Sequence, residues 1–240
     1  MIQVNGLKKR FGPTDALSGM EFSAPNGAIT AILGANGAGK TSTIRIITGL
    51  MRADAGSVAV DGIDPAMDRV NALRRLGVLP DDYGVYERLT AREHIEHVAA
   101  AHGLSGAELR LAVEETLASL DMRAIADRRV HGFSLGERMK VALGSAIVHR
   151  PSNLLLDEPT RGLDVFSVRM LRGVLIELRK RGVCILLASH VMSEVQRLAD
   201  RVVVVAKGRA VASGTPAQLL ATTGAADMED AFMSLATGSL

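Results

Sequence analysis

The chain has 240 residues, the size of one large domain carrying an elaboration. Hydrophobic residues make up 48% and charged residues 22%, which excludes a disordered chain. The 28 basic and 26 acidic side chains leave a net charge of +2, too balanced for bulk binding to nucleic acid, and the single cysteine, Cys184, excludes a disulfide scaffold or a cysteine-rich metal site.

The N-terminus, Met1-Ile2-Gln3-Val4-Asn5, has neither the basic nor the apolar region of a signal peptide. No uncharged stretch reaches the roughly 18–20 apolar residues a membrane span needs. The chain is therefore expected in the cytoplasm.

The first third reads as short strands joined by glycine-rich turns. Ile29 to Leu33 is a compact apolar strand between Asn26-Gly27 and Gly34. Helix formers run from Lys40 to Leu50, with Gly49 near the end. Val58-Ala59-Val60 meets Asp61-Gly62, a hairpin turn signal. Between about Ala91 and Asp127 the composition shifts to Ala, Leu, Glu and His without proline. Leu109, Val113, Leu117 and Leu120 share one helical face, and Ser105 with Glu108 reads as a helix start. This is the pattern of a helical lobe inserted into an α/β core. Asn153 to Asp157 is then an apolar strand, and Leu171, Val174, Leu175 and Leu178 mark an amphipathic helix. Val183 to Ala188, which holds Cys184 as a buried thiol, and Val202 to Val205 are further strands. Continuous apolar strands separated by helices predict a parallel sheet buried on both faces, with its ligand edge at the carboxyl ends of the strands.

Two motifs at such ends carry chemistry. Gly34-Ala35-Asn36-Gly37-Ala38-Gly39-Lys40-Thr41 fits G-x-x-x-x-G-K-[ST], with a strand entering and a helix leaving. The pattern occurs by chance in about one chain in a hundred of this length. Glycines let successive N–H groups curl around phosphate oxygens, and the helix N-terminus adds about half a positive charge. Lys40 is placed to reach the β- and γ-phosphates and the Thr41 hydroxyl to hold Mg²⁺. The strand ending at Asp157-Glu158 is the second motif. A buried strand does not end in paired carboxylates for packing reasons. Asp157 is expected on Mg²⁺ and Glu158 on the attacking water.

From these residues onward the chain resembles the ATP-binding subunits of ABC transporters over nearly its whole length. Phe133-Ser134-Leu135-Gly136-Glu137 stands where that family has its signature LSGGQ, ahead of Asp157. Gly162-Leu163-Asp164 resembles the D-loop, His190 the switch histidine, and Phe11 the aromatic that stacks on adenine.

The resemblance implies an α/β P-loop NTPase with a RecA-like core, an N-terminal antiparallel β portion and an inserted ABC-type helical subdomain. The segments would be 1–87 and 138–221 for the core, 88–137 for the helical subdomain ending in the signature, and 222–240 for a short tail. It implies ATP contacts from Phe11 and from the loop through Ser42, and catalysis by Glu158 and His190. Ser134, Leu135, Gly136, Glu137 and Asp164 would reach ATP held by a second copy paired head to tail. Coupling helices of an integral membrane permease would ride in the groove between the core and the helical lobe. The chain would then lie on the cytoplasmic face of the membrane, with no nucleic acid as partner.

Two features depart from the family pattern. Leu135 replaces a glycine and Glu137 a glutamine in the signature, and Asp81 stands where the Q-loop glutamine is expected. A carboxylate there can ligate Mg²⁺ or its water. The segments around Gly77 to Glu93, Gly136 to Leu143 and Met228 to Phe232 resemble the sodium-exporter (NatA-like) subunits, which energise ABC-2-type exporters. The competing readings are a regulatory cassette with lost turnover, kept open by the altered signature, and a soluble ABC protein acting on nucleic acid, disfavoured by the single cassette and the absence of a basic patch. Met228, Phe232, Met233 and Leu235 could give the tail an apolar face, packed on its own cassette or on the dimer mate.

Overall fold

The computed structural model describes residues 1–238; the last two residues of the tail segment lie outside the described residues. Strands β1 (Ile2–Phe11) and β2 (Thr14–Ala24) form one antiparallel hairpin, and β4 (Ala55–Val60) pairs on the other side of β1. β1 and β2, at 10 and 11 residues, are longer than the short strands expected, whereas β4 has six. Gly6 and Gly19, at φ 57° and 108°, mark bulges inside β1 and β2. Glycine takes such conformations without a Cβ penalty, so the pairing shifts register at Gly6 and continues. The turn expected at Asp61-Gly62 is present: Val60 and Ile63 exchange backbone hydrogen bonds of 2.8 and 2.9 Å, with both central residues at positive φ.

The second sheet has the order β5 (Leu76–Leu79), β6 (Asn153–Asp157), β7 (Cys184–Ser189), β3 (Ile29–Leu33), β8 (Arg201–Ala206) and β9 (Arg209–Gly214). All neighbours are parallel except β8 and β9. β3, β6 and β7 are buried along their whole length, as their unbroken apolar runs require. Asp157 pairs in register with Ala188, and Leu33 with Ser189, so the ends of β6, β7 and β3 lie side by side. Cys184 is buried; its thiol donates to the Ala24 carbonyl at 3.3 Å, and burial pushes its pKa up.

α1 (Lys40–Ile47) leaves the phosphate loop and ends at a Gly49 in the left-handed region. α2 (Arg69–Arg74) leads into β5. The helical lobe is α3 (Ala91–Ala101), α4 (Gly106–Ser119) and the start of α5 (Leu135–Ile147). Val113, Leu117 and Leu120 are buried against Ile95, Met139 and Leu143, with Leu109 half-buried beside them, which is the face read from the sequence. Ser105 does precede α4, but its hydroxyl accepts no capping bond. Gly106 at φ 56° turns the chain into the helix, and the Ser105 carbonyl, not its side chain, takes the Leu109 N–H. A reciprocal capping box stands instead at Thr90 and Glu93 of α3.

α6 (Val165–Lys180) and α7 (Met192–Leu198) complete the core. α8 (Pro216–Thr223) and α9 (Met228–Thr237) fold back on β8 and β9. Met228 and Phe232 are buried against Leu33, Val204 and Leu219, so the tail caps its own core; Met233 remains exposed. Among the described residues no helix is long and apolar enough to cross a membrane.

Candidate active site

Gly34 to Gly39 wrap from the end of β3 into α1. A Cβ at Gly34 would lie 2.7 Å from the Val205 carbonyl, and one at Gly39, at φ 107°, 2.7 Å from Leu17 and 2.8 Å from the Ala16 carbonyl. Both glycines are therefore required by close backbone approach and, at Gly39, by conformation. Ala35, Asn36 and Gly37 are exposed at the mouth of the loop, Ala38 is buried, and Thr41 and Ser42 are half-buried at the helix start. Ala16 and Leu17 of β2 close over Gly39, and Phe11 stands at the tip of the same hairpin, 47% exposed, with no place in the core.

Lys40 is only 6% exposed. Its Nζ donates to the carbonyls of Gly34 at 2.8 Å and Ala35 at 3.4 Å, and pairs with Glu158 Oε1 at 3.2 Å. The other Glu158 oxygen accepts from His190 Nδ1 at 2.7 Å and from the His190 backbone N–H at 3.3 Å. With Nδ1 engaged by Glu158, Nε2 is the ring nitrogen left for a phosphate oxygen, to which it donates only when the ring carries both protons. Glu158 itself sits at φ 49°, a conformation that a non-glycine residue holds only where its surroundings fix it. The ends of β3, β6 and β7 thus bring Lys40, Glu158 and His190 into one contact chain.

Asp157 lies deeper, 4% exposed, and its Oδ1 has no hydrogen-bond partner. Burial raises its pKa; the Thr41 hydroxyl opposes this, and the nearby charges of Asp81 and Glu158 add to it. A buried carboxylate with an unsatisfied oxygen, near two further carboxylates, fits a cation with hard oxygen ligands. Among the described residues no three His, Cys, Asp or Glu side chains form a metal cage. A cation here would complete its shell from the Thr41 hydroxyl, phosphate oxygens and water.

The remaining motif residues form a separate cluster. Ser134 caps α5, accepting from the Glu137 N–H at 3.2 Å, while the Glu137 carboxylate accepts from the Ser134 N–H at 2.8 Å. The glutamate in place of glutamine thus serves a capping box, and Arg128 lies 3.6 Å from its other oxygen. Arg128 was not singled out by sequence reading; it lies in the segment just before the signature, over the Phe133 ring, and no motif announces it. Gly136 has no room for a Cβ against Ser167, and Leu135 packs on Gly162. Asp164 caps α6, accepting from the Ser167 N–H at 2.9 Å and from its hydroxyl at 2.9 Å, which lowers its pKa. Among the described residues no hydrogen bond or ion pair joins this cluster to the phosphate loop. Beside it Val165 and Phe166 are 81% and 86% exposed.

An α/β sheet with a phosphate loop, an acidic strand end and a histidine at the next strand end defines a P-loop nucleotide hydrolase. The sequence profile of the family described as "ABC transporter" matches residues 17–161. The chain is 34% identical to the ABC transporter ATP-binding protein NatA of Bacillus subtilis (strain 168), over 98% of this chain and 97% of that one. It is also 34% identical to the Nod factor export ATP-binding protein I of Paraburkholderia xenovorans (strain LB400), over 96% of this chain and 76% of that one. A solved structure described as an ATP binding subunit of an ABC transporter superposes with a TM-score of 0.90 at 29% identity, covering 98% of this chain and 99% of the other. The chain belongs to the ABC transporter family, as one of its ATP-binding, ATP-hydrolysing subunits.

Proposed function

We propose that this chain powers an exporter: it binds ATP between two copies paired head to tail, hydrolyses it, and drives a separate integral membrane permease on whose cytoplasmic side it sits. The observation that carries this reading is the contact chain Lys40–Glu158–His190 at the sheet edge, with the signature cluster standing apart from it. One chain holds both halves of a nucleotide site but does not bring them together; a second copy would.

In this reading the N–H groups of Gly34 to Thr41 and the amine of Lys40 hold the phosphates, with Ser42 at the helix start and Phe11 stacked on adenine. Glu158 orients and polarises the attacking water and accepts its proton, and His190 Nε2 contacts the γ-phosphate. From the second copy, the Ser134 hydroxyl and the Gly136 N–H meet that phosphate, flanked by Leu135, Glu137 and Asp164. The exposed Val165 and Phe166 give this face apolar surface that a second copy would cover. Loss of the γ-phosphate removes the cross-subunit contact and the pair opens. Thr41, Asp81 and Asp157 would hold Mg²⁺, which when bound offsets the negative charge of the phosphates.

The charge balance has a measurable consequence. Without the cation, Asp81, Asp157 and Glu158 face the phosphates with Lys40 as their counter-charge. ATP affinity measured by calorimetry is expected to fall by about tenfold or more when Mg²⁺ is chelated. Asp81→Asn should narrow that gap; equal ATP affinity with and without Mg²⁺ in the wild-type chain would remove these residues from the metal site.

The deciding experiment is purification from native membranes in mild detergent, with identification of stoichiometric companions. A polytopic membrane protein supports the transport reading, and that subunit selects the cargo, sodium or another ABC-2-type substrate. A soluble companion counts against it.

A further inference from the structure

One cation beside the signature, Arg128, has no part in the roles above. Its backbone is tied to the start of α3: the Arg128 carbonyl accepts from the Ala91 N–H at 3.3 Å, and the nearby Val130 N–H donates to the Leu89 carbonyl at 2.9 Å. Its guanidinium lies over the Phe133 ring, 5.3 Å from the centroid, and its Nη1 is 3.6 Å from Glu137 Oε1. Phe133 is buried, which fixes the ring that the guanidinium covers. The neighbouring charges are engaged elsewhere. Asp127 pairs with Arg92 at 2.8 Å, and Arg138, whose Nε reaches the Phe133 carbonyl at 3.4 Å, pairs with Glu87 at 3.0 Å. Among the described residues the one ion pair of Arg128 is with Glu137.

The capping box needs an acceptor from residue 137, and a glutamine side chain would serve as well. What the glutamate adds is a negative charge in the first turn of α5. A carboxylate there suits the helix dipole. It also stands at the helix N-terminus that would meet a phosphate of ATP held by a second copy, so two anions share one helix end. Closing the pair of chains would expel water from this surface, and like charges repel more strongly there than in bulk water. A signature with glutamate therefore needs a fixed cation beside it, and Arg128 stands in that place.

We propose that Arg128 is a positioning residue for the ATP-bound pair of chains: its guanidinium neutralises the Glu137 carboxylate, so that the N-terminus of α5 presents no net negative charge to the phosphate held by the second copy. The Phe133 ring keeps the guanidinium at that carboxylate, and the Ser134 hydroxyl and Gly136 N–H are left to meet the phosphate. In the single chain the pair is open to water, with side-chain exposures of 55% and 28%. Its attraction is small there and grows as the second copy covers it. This inference rests on the head-to-tail reading above.

The test is ATP-driven pairing of the chain carrying Glu158→Gln, which keeps ATP unhydrolysed, followed by size-exclusion chromatography with light scattering across an ATP titration with Mg²⁺. Adding Arg128→Gln is expected to raise the ATP concentration at half-maximal pairing about tenfold, the scale of one uncompensated charge near a phosphate. That rise should shrink between about 0.1 M and about 0.5 M salt, because the repulsion is screened. Adding Arg128→Gln and Glu137→Gln together removes both charges and should return the midpoint to within about twofold of the parent. ATP affinity of the single chain, read with a fluorescent analogue at a dilution where no pairs form, should stay within about twofold throughout, since this cluster stands apart from the phosphate loop. An unchanged midpoint with Arg128→Gln overturns the proposal. So does a combined variant as impaired as Arg128→Gln, the mark of an arginine that only holds the lobe together. If the parent does not pair with ATP, the head-to-tail reading fails first and the role of Arg128 with it. A parent that pairs, beside an indifferent Arg128→Gln, removes the Arg128 link alone.

Discussion

Lys40→Ala is expected to weaken ATP binding by about 100-fold or more and to abolish turnover, because it removes the cation of a buried ion pair at the phosphate loop. Lys40 is 6% exposed, and its amine is held by two loop carbonyls and Glu158. In that position it supplies the positive charge facing Asp157 and Glu158 at the loop. Alanine leaves those carboxylates to meet the phosphates directly, so repulsion replaces attraction. Titration with a fluorescent nucleotide separates lost binding from lost chemistry. ATPase activity at the wild-type level in this variant would refute the assignment of the phosphate loop.

The second large effect is expected at Glu158. Glu158→Gln keeps the shape of the side chain, and its amide oxygen can still accept the Nδ1–H of His190, now bonded to the carboxylate at 2.7 Å. It cannot accept a proton from water, so turnover should fall by about 100-fold or more, the scale of a lost general base. Binding should survive, because the ion pair that holds Lys40 at 3.2 Å is gone and the amine is free to move to phosphate. The variant should therefore accumulate with ATP as a closed pair of chains, visible by size-exclusion chromatography with light scattering. Wild-type turnover in Glu158→Gln would show that another group carries the base chemistry.

The altered signature bears on whether such turnover is expected at all. Glutamate at 137 brings a negative charge near the nucleotide site proposed to form between two copies, which is what keeps a regulatory reading open. The fold answers part of this. The Glu137 carboxylate is turned back onto the Ser134 N–H and faces Arg128, so its charge is engaged within the lobe. The Ser134 hydroxyl accepts from the Glu137 N–H and keeps its own proton to donate. Leu135, in place of a glycine, lies against Gly162 and so ties the signature to the segment that carries Asp164.

Much of the site was legible before folding because its parts are local. A strand, a glycine loop and a helix start follow one another from Ile29 to Lys40, and an apolar strand runs directly into Asp157 and Glu158. Backbone amides that cradle phosphate and acids that end a buried strand are properties of contiguous residues. The same holds for β3 and β6, whose apolar runs match the observed strands residue for residue. The short strands and glycine-rich turns expected across the first third misled for the opposite reason: Gly6 and Gly19 lie inside β1 and β2, and the facing strand accommodates each as a bulge. Whether a positive φ ends a strand or kinks it depends on what pairs across from it. The Ser105 cap failed similarly, through the conformation of its neighbour Gly106.

The sequence by itself determined the α/β class, the phosphate loop, the acidic strand end and the order of the family's motifs, since each depends on residue type at fixed short spacing. Only the tertiary structure decided which of these meet. The strand order β5-β6-β7-β3-β8 sets Lys40, Glu158 and His190 in contact, although they are far apart in the chain, and leaves Ser134 and Asp164 in a cluster of their own. It also set Arg128 within 3.6 Å of the Glu137 carboxylate. Contacts across a sheet edge or between lobes are fixed by the burial of whole faces, and that is a property of the packed chain, absent from any one segment.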